Sequence, residues 1–274
     1  MIMTGIIGIV VGLVSLILAF VLEGGAIGSL FQPTALLIVF GGTFGAIIAS
    51  FSQDELKNIG KILKVAFTPR KNNTHELITE LKELSIQTRK HGLLSLESNI
   101  SGSQSIDPFI LKGLRMMVDG IEPDIIRTTL ELKTENMYER HLNNASIFEA
   151  AGGFAPTMGI IGTVLGLVHI LGNLSGDPGS LAPLIATAFI ATLYGVASAN
   201  VLWIPIANKL KQLNKQDMLE KELIIEGILL IQSGANPNVI EEQLKSFLSD
   251  KEVELYEKSA SVKNSSVKNL GVEN

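Results

Sequence analysis

The stretch GGFAPTMGIIGTVLGLVHIL, residues 152–171, decides how the rest of the chain is interpreted. It contains no Asp, Glu, Lys or Arg, and it has about the length that a helix needs to cross a bilayer, roughly 20 residues. A span that faces only lipid is mostly Leu, Ile and Val, whereas this one is interrupted by glycines, a proline and a threonine. It therefore predicts a membrane helix with one face of small residues.

Three other stretches of similar length also lack acidic and basic side chains. Together the four predict membrane spans at 3–22, 33–52, 154–174 and 181–206. A composition of 46% hydrophobic and 18% charged residues is typical of an integral membrane protein rather than a soluble enzyme. The predicted fold class is all-α, an integral membrane protein with four transmembrane helices and a helical cytoplasmic region.

The placement of basic residues predicts the topology. Of the 22 Lys and Arg residues, 13 lie in 53–153 and 9 lie after residue 207, while the connections 23–32 and 175–180 contain none. By the positive-inside rule, both termini and the middle segment are expected in the cytoplasm. The first span has no basic segment before it and a longer apolar run than a secretion signal, so we expect it to remain as a span.

The expected organisation follows the spans in order. The predicted segments are the first two transmembrane helices (1–52), a helical cytoplasmic insert (53–152), the third and fourth transmembrane helices (153–206), C-terminal cytoplasmic helices (207–257) and a polar, disordered tail (258–274).

The composition argues against several other functions. There is no cysteine, so neither a disulfide framework nor a thiol nucleophile is available. The four histidines are scattered, and no metal or other cofactor is predicted. A net charge of −5 without a dominant basic patch argues against nucleic acid as a partner. An enzyme is the least favoured class, because GIIGTVLG lacks the Gly-Lys-Ser/Thr ending of a phosphate loop and no nucleophile–base set stands out.

Two small-residue stripes are expected on the third and fourth spans, since residues three and four apart share a helix face. The third span contributes Gly159, Thr163 and Gly166, and the fourth contributes Ala188, Thr192 and Gly195. Each stripe has one threonine near the bilayer midplane. Small residues let membrane helices pack closely, and a threonine can bond its own helix. Alternatively, the stripes line an ion path or face a partner.

None of the four spans contains a carboxylate. Cation-coupled membrane proteins normally need an ionisable group inside the bilayer, so if this chain moves ions, another chain must supply the carboxylate. Pro156 begins the third span and Pro205 ends the fourth. Both are expected either to punctuate helices or to act as flexible points, and Pro205 should interrupt its helix.

One cytoplasmic stretch, RKHGLLSLE (89–97), groups Arg89, Lys90 and His91 before a glycine and places Glu97 eight residues after Arg89. On its chemistry alone it is typical of a solvated helix end, where basic residues complement the helix dipole.

Three motifs together resemble a known family. APTMGIIGTVLGLVH, ATLYGVASANVLWIPIA and RKHGLLSLE are similar to segments of the flagellar motor stator subunits MotA, PomA and MotP, and more distantly to TolQ and ExbB. The resemblance covers essentially the whole chain, and the four-span arrangement favours the motor members.

The resemblance implies a set of partners. A single-span MotB-type subunit would supply the ion-binding aspartate, and five copies of this chain would surround two partner helices in the bacterial cytoplasmic (inner) membrane, among its lipids. The transported ion would be H⁺ or Na⁺, and torque would act on a rotor switch-complex protein of the flagellar C-ring.

The resemblance also implies roles for individual residues. Pro156 and Pro205 match prolines that couple ion flow to conformational change, and Thr192 matches a threonine that faces the ion path. Arg89 and Glu97, with Lys90 in the same patch, match charged residues that contact the rotor. A threonine at the position of Thr163 is found in sodium-type members, where many proton-type members have alanine, and this favours sodium.

Two other readings stay open on the sequence. An ExbB-like energiser of outer-membrane processes would use the same ion-coupled chemistry. A membrane scaffold would use the stripes only for packing, would show no ion current with any partner, and would tolerate serine or alanine at both threonines.

Overall fold

The computed structural model describes residues 2–68, 73–97, 106–172 and 181–269. Regular structure within these ranges is helical throughout, which confirms the predicted all-α class. The helices are α1 (Ile2–Leu22), α2 (33–50), α3 (Gln53–Leu56), α4 (Ile59–Phe67), α5 (Thr74–His91), α6 (Pro108–Val118), α7 (Pro123–Gly172), α8 (181–232), α9 (Pro237–Lys245) and α10 (Asp250–Asn269).

Four of these helices are long and apolar enough to cross a membrane, as predicted: α1, α2, α7 and α8. The apolar window of α1, Gly5–Leu22, has no buried residue. A Cβ on Gly12 would lie 3.2 Å from the side chain of Val201, so α1 contacts α8 there, while most of its aliphatic side chains are exposed.

Helix α7 runs without interruption for 50 residues. Pro156 was expected to begin the third span, either as punctuation of a helix or as a flexible point. It does not punctuate a helix, because it lies inside α7. Proline removes one backbone hydrogen bond from a helix interior. Here its backbone packs against α8, since a Cβ on Gly195 would lie 3.1 Å from the Cα of Pro156.

Helix α8 accommodates its own proline differently from the prediction. Pro205 does not interrupt the helix; a π-helical turn, Ala199–Trp203, precedes it, and the N–H of Ile204 donates to the carbonyl of Ala199. Since proline has no N–H, the carbonyl four residues before it loses its usual donor, and a wider turn absorbs that irregularity. Helix α2 contains a similar π turn at Leu37–Gly41.

The chain divides into two compact units. The span unit comprises Met1–Pro69 and Glu139–Asn214, and the polar unit comprises Arg70–Tyr138 and Lys215–Asn274. The two ends of the predicted insert, 53–69 and 139–152, belong to the span unit, and its middle, 70–138, belongs to the polar unit. The apolar faces of α5 and α6 are covered by the C-terminal part of α8 and by α9, in one core whose fully buried members include Ile78, Leu81, Ile110, Leu114, Ile224 and Ile228.

The C-terminal end of the chain also differs from the prediction. Helix α10 continues to Asn269, where a disordered tail was expected from residue 258. No glycine or proline occurs between 250 and 269, and Glu254 and Lys258 form an ion pair at 3.8 Å with helical spacing, which stabilises a helix. Residues 270–274 lie outside the described ranges.

Ion pairs connect helices of the polar unit. Lys82 of α5 donates to Glu241 of α9 at 2.5 Å, and the Tyr256 hydroxyl of α10 donates to the same carboxylate at 2.9 Å. Burial raises the pKa of Glu241, but the hydrogen bonds from Lys82 and Tyr256 outweigh it, and the net pKa is lowered. A lowered pKa means that this carboxylate stabilises the fold at neutral pH and loses that contribution as the pH falls through its folded pKa.

Asp107 connects α6 to α8. One carboxylate oxygen caps α6 by accepting from the N–H of Phe109 at 2.6 Å, and the other accepts from Lys221 at 2.9 Å. The side chain of Lys221 is only 14% exposed, and its ammonium lies 4.9 Å from the centre of the Phe109 ring. Asp107 therefore satisfies both a helix end and a largely buried cation.

We expect Asp107→Ala to lower the free energy of unfolding of the polar unit by about 1–3 kcal/mol, because it removes a cap and leaves Lys221 without its carboxylate. Asp107→Asn keeps the cap and should lose less. Thermal denaturation of the detergent-solubilised protein, followed by circular dichroism, measures both. Asp119→Ala, at the exposed end of the same helix, is the control, and an equal loss in that variant would contradict the assignment.

Candidate functional site

The two threonines predicted from the stripes meet in the structure. Thr163 of α7 and Thr192 of α8 are both half-buried, and their hydroxyl oxygens are 2.5 Å apart. The Thr163 hydroxyl is also 3.0 Å from the carbonyl of Ala188 and 3.1 Å from that of Gly159. The Thr192 hydroxyl is 3.4 Å from the carbonyl of Gly159. We call Thr163 and Thr192 the threonine pair.

The hydrogen-bond inventory of the threonine pair determines what it can bind. Each hydroxyl has one proton to donate and two lone pairs to accept with. If Thr192 donates to Thr163, and Thr163 donates to a backbone carbonyl, both protons are used within the chain while the Thr192 oxygen keeps its lone pairs. In that arrangement the pair offers acceptors, which suit a cation, a water molecule or a protonated carboxyl group.

The small residues around the pair hold α7 and α8 close together. A Cβ on Gly159 would lie 2.8 Å from the carbonyl oxygen of Ala191, one on Gly195 would lie 2.5 Å from that of Ala155, and one on Gly166 would lie 2.6 Å from the Cβ of Ala188. Contacts this short do not occur, so the approach requires glycine. We call this α7–α8 contact the glycine seam.

The two stripes therefore face each other within the chain, and this corrects part of the prediction. Gly159 and Gly195 are buried and Ala188 is 2% exposed, because the neighbouring span occupies their surfaces. Among the six stripe residues, only Thr163, Thr192 and Gly166 keep partial exposure. Close packing explains the buried small residues, and the threonine pair is the part of the stripes that keeps polar side chains partly exposed.

The glycine seam continues toward both prolines. A Cβ on Gly152 would lie 2.7 Å from the Cγ1 of Ile204. Gly152 lies four residues before Pro156 on α7, and Ile204 lies just before Pro205 on α8. Pro156 is half-buried and Pro205 is exposed. Both prolines thus lie about one turn or less from the same α7–α8 contact.

Tyr194 is a site residue that the sequence analysis did not identify. Its hydroxyl donates to the carbonyl of Leu30 and accepts from the N–H of Gln32 at 3.2 Å, so it fastens the connection before α2 to α8. The available signal was a lone tyrosine in an apolar span, since a buried tyrosine hydroxyl usually has a partner.

A cavity of about 220 Å³ lies between α2, α7 and α8 beside the glycine seam. Its lining includes Gly162, Gly166 and Ala191, with polar groups from Thr34, Thr187 and His169. The threonine pair does not line it. Among the described residues, no group of three or more His, Asp or Glu is placed to hold a metal.

The second candidate site is the end of α5 and the turn that follows it, residues 89–97, which we call the charged turn. Gly92 ends the helix with φ 80° and ψ 168°, a region that essentially only glycine occupies. A 3₁₀ turn, Leu93–Leu96, follows, and Leu96 is fully buried. The Gln87 side chain donates to the carbonyl of Ser95 at 2.9 Å, which fixes the turn to α5.

This turn leaves the three predicted rotor residues, Arg89, Lys90 and Glu97, exposed. Within the described part of the chain, no ion pair involves any of them. Their charges are therefore available to another molecule.

Comparisons with known proteins agree with this architecture. The model of the MotA/TolQ/ExbB proton channel family matches residues 101–223, and that of the motility protein A N-terminal region matches residues 6–92. Motility protein A of Bacillus subtilis (strain 168) is 38% identical over 250 residues, 91% of this chain and 92% of the relative. Chemotaxis protein PomA of Vibrio alginolyticus is 36% identical over 245 residues, 89% and 94% of the two chains. An uncharacterized B. subtilis protein, YtxD, is 38% identical over 263 residues, 95% and 96%.

Solved structures give the same result. The flagellar MotAB stator complex from B. subtilis includes a chain with a TM-score of 0.84 and 38% identity, covering 90% of this chain and 97% of that one. A C. jejuni MotAB chain has a TM-score of 0.84 and 32% identity, with 91% and 97% covered.

The four spans and the family match together define a membrane protein of the ion-channel class. The chain belongs to the MotA/TolQ/ExbB proton channel family and, within it, to the motility protein A group. This confirms the resemblance seen in the sequence, and the motility and chemotaxis relatives favour the motor members over ExbB.

We expect Gly195→Ala to destabilise the span unit by about 1–3 kcal/mol, because the added methyl group would meet backbone rather than a movable side chain. Thermal denaturation of the detergent-solubilised protein, followed by tryptophan fluorescence, measures the loss.

Gly153→Ala is the matched control for that experiment, since Gly153 lies on α7 with nothing within 4 Å of its Cβ position. It should leave the midpoint unchanged or raise it. Equal midpoints for the two variants would show that the glycine seam is not tightly packed.

We expect Gly92→Ala to strain the turn by about 1–3 kcal/mol and to increase trypsin cleavage after Arg89 and Lys90. Digestion followed by mass spectrometry measures the cleavage rate at these bonds. Gly60→Ala, at an exposed helical position with nothing within 4 Å, is the control. Unchanged cleavage in Gly92→Ala would contradict the account of a glycine-dependent turn.

Proposed function

We propose that this chain is the stator subunit of a flagellar motor, which conducts H⁺ or Na⁺ with a MotB-type partner and converts the ion flow into torque on the rotor. The observation that carries the proposal is the threonine pair: two half-buried hydroxyls, 2.5 Å apart, in membrane spans without a carboxylate. Relatives of known structure are MotAB complexes, which supports a partner that supplies the missing aspartate.

The ion step follows from the chemistry of the threonine pair. A partner aspartate beside Thr163 and Thr192 would be costly to hold ionised in the membrane. A cation from outside neutralises it, and the hydroxyl lone pairs accept from the protonated carboxyl group or contribute ligands to Na⁺. The neutral group moves past apolar surface at lower cost, and release of the ion to the cytoplasm resets the cycle.

The turning step needs an assembly. We propose five copies of this chain around two partner helices in the bacterial cytoplasmic membrane, with both termini inside the cell, as the placement of Lys and Arg supports. Each ion cycle turns the ring by one step. Pro156 and Pro205 allow α7 and α8 to flex at the end of the glycine seam.

The torque step uses the charged turn. Arg89, Lys90 and Glu97 are exposed, and no ion pair within the described residues engages them, so they can pair with opposite charges on the rotor's switch-complex protein. The continuous helices α7 and α8 link the turn's unit to the spans by covalent chain.

The test is complementation. The chain is co-expressed with its candidate MotB-type partner in a stator-deleted host, and the rotation speed of tethered cells is measured against external sodium at fixed pH. Rotation that rises from zero with sodium identifies a sodium-driven stator. Rotation unchanged without sodium but abolished by a protonophore identifies a proton-driven one. An assembled complex that passes ions but never turns the rotor would favour the ExbB-like alternative.

Variants of the threonine pair test the ion step. Thr163→Ala and Thr192→Ala should each lower rotation speed severalfold, because each removes a hydroxyl oxygen that can accept from the protonated carboxyl group or bind the cation. The complex should still assemble with its partner, because the glycines of the seam remain. Thr157→Ala is the matched control on α7, since Thr157 is exposed and, among the described residues, its hydroxyl bonds the carbonyl of Phe154 alone, at 2.7 Å. Full speed in both variants of the pair would exclude an ion-coupling role for these hydroxyls.

A further inference from the structure

Leu94 is displayed at the centre of the charged turn. Its side chain is 69% exposed, whereas Leu96, two residues later, is fully buried, and Leu93 packs on the core of the polar unit. The turn thus presses two of its leucines inward and directs the third outward.

The outward position of Leu94 is fixed rather than incidental. Gly92 sets the direction of the chain with φ 80°. The Gln87 side chain donates to the Ser95 carbonyl at 2.9 Å, and the Ser95 hydroxyl donates to the Gly92 carbonyl at 2.7 Å. Leu94 lies between these two braces, and its presentation therefore costs little additional ordering when another protein binds it.

The surroundings of Leu94 combine both signs of charge. Arg89 and Lys90 precede it, Glu97 follows it, and all three are exposed without an ion pair among the described residues. Ile86 is a second exposed aliphatic residue, one turn before Lys90 on α5. Exposed charges alone contribute little to affinity; they guide the approach and orient the partner. A buried apolar side chain at the centre of such a surface supplies most of the binding energy.

We propose that Leu94 is the apolar anchor of the rotor contact, flanked by Arg89 and Lys90 on one side and by Glu97 on the other. The complementary surface carries an acidic residue, an apolar depression and a basic residue in that order. The inference rests on the proposed function. It adds that Leu94 supplies most of the binding energy of the rotor contact, whereas the charged residues orient the rotor protein as it approaches.

Binding measurements separate the anchor from the charges. The assembled stator in nanodiscs is immobilised, and its affinity for the purified rotor switch-complex protein is measured at low and high salt. Leu94→Ala should weaken binding by about tenfold at both salt concentrations, mainly through faster dissociation. Arg89→Ala should slow association and reduce its salt dependence. Leu94→Met should retain binding.

The polar unit offers matched controls. Leu132 and Leu255 are 58% and 59% exposed and lie on α7 and α10, away in sequence from the charged turn; alanine at either should leave binding unchanged. Ion flux through the complex should be normal in Leu94→Ala, whereas rotation under load falls.

Two results would overturn the proposal, and they are distinguishable. If Leu94→Ala binds as tightly as the wild type while Arg89→Ala binds more weakly, the charges make the contact alone and Leu94 is not an anchor. If the wild-type complex neither binds the rotor protein nor restores rotation, the stator function itself fails.

Discussion

The close backbone approach of α7 and α8 along the glycine seam is the constraint on which the membrane part of the structure depends. A single methyl group at Gly195 would lie 2.5 Å from a carbonyl oxygen, so the two helices stay this close only while small residues line both faces. The hydrophobic effect does not drive helices together in lipid, because lipid tails are as apolar as the helices. Van der Waals contacts made by close packing stabilise the pair instead. The seam also sets the separation of Thr163 and Thr192, because their side chains meet only at that helix distance.

The threonine pair that the seam brings together carries no charge. The spans contribute hydroxyl and carbonyl oxygens but no ionisable carboxylate. A carboxylate kept permanently beside these oxygens would be costly in the bilayer, whereas one carried by a separate chain can enter and leave the polar position as it gains and loses a cation. In the proposed ion cycle, the oxygens and the charge would belong to two different proteins, and the cycle would therefore require the two to move relative to each other.

Much of this architecture could be predicted from the sequence, since uncharged runs of about 20 residues report spans directly and the spacing of small residues predicts which faces meet. The mutual packing of the two stripes could not, because spacing shows that Gly159 and Gly195 lie on small-residue faces but not which helix occupies them. The effect of Pro205 could not be predicted from the sequence either. The sequence shows that one backbone N–H is missing, but only the structure shows that a π turn at Ala199–Trp203 lets the helix continue past the proline. Helical structure beyond residue 258 was missed since a polar composition without aromatics indicates weak core packing, whereas Tyr256, which is 4% exposed, anchors α10 just before that point.

Helix α1 has a property that matters for a protein embedded in a fluid. Its window from Gly5 to Leu22 has no buried residue and no charged side chain, so it meets its surroundings through dispersion forces, each of which is small and without preferred direction. Surfaces of this kind have few specific attachments to break when they slide. In the proposed ring, which turns within a bilayer, such a helix would slide past lipid with little resistance, because its aliphatic side chains make only weak, undirected contacts.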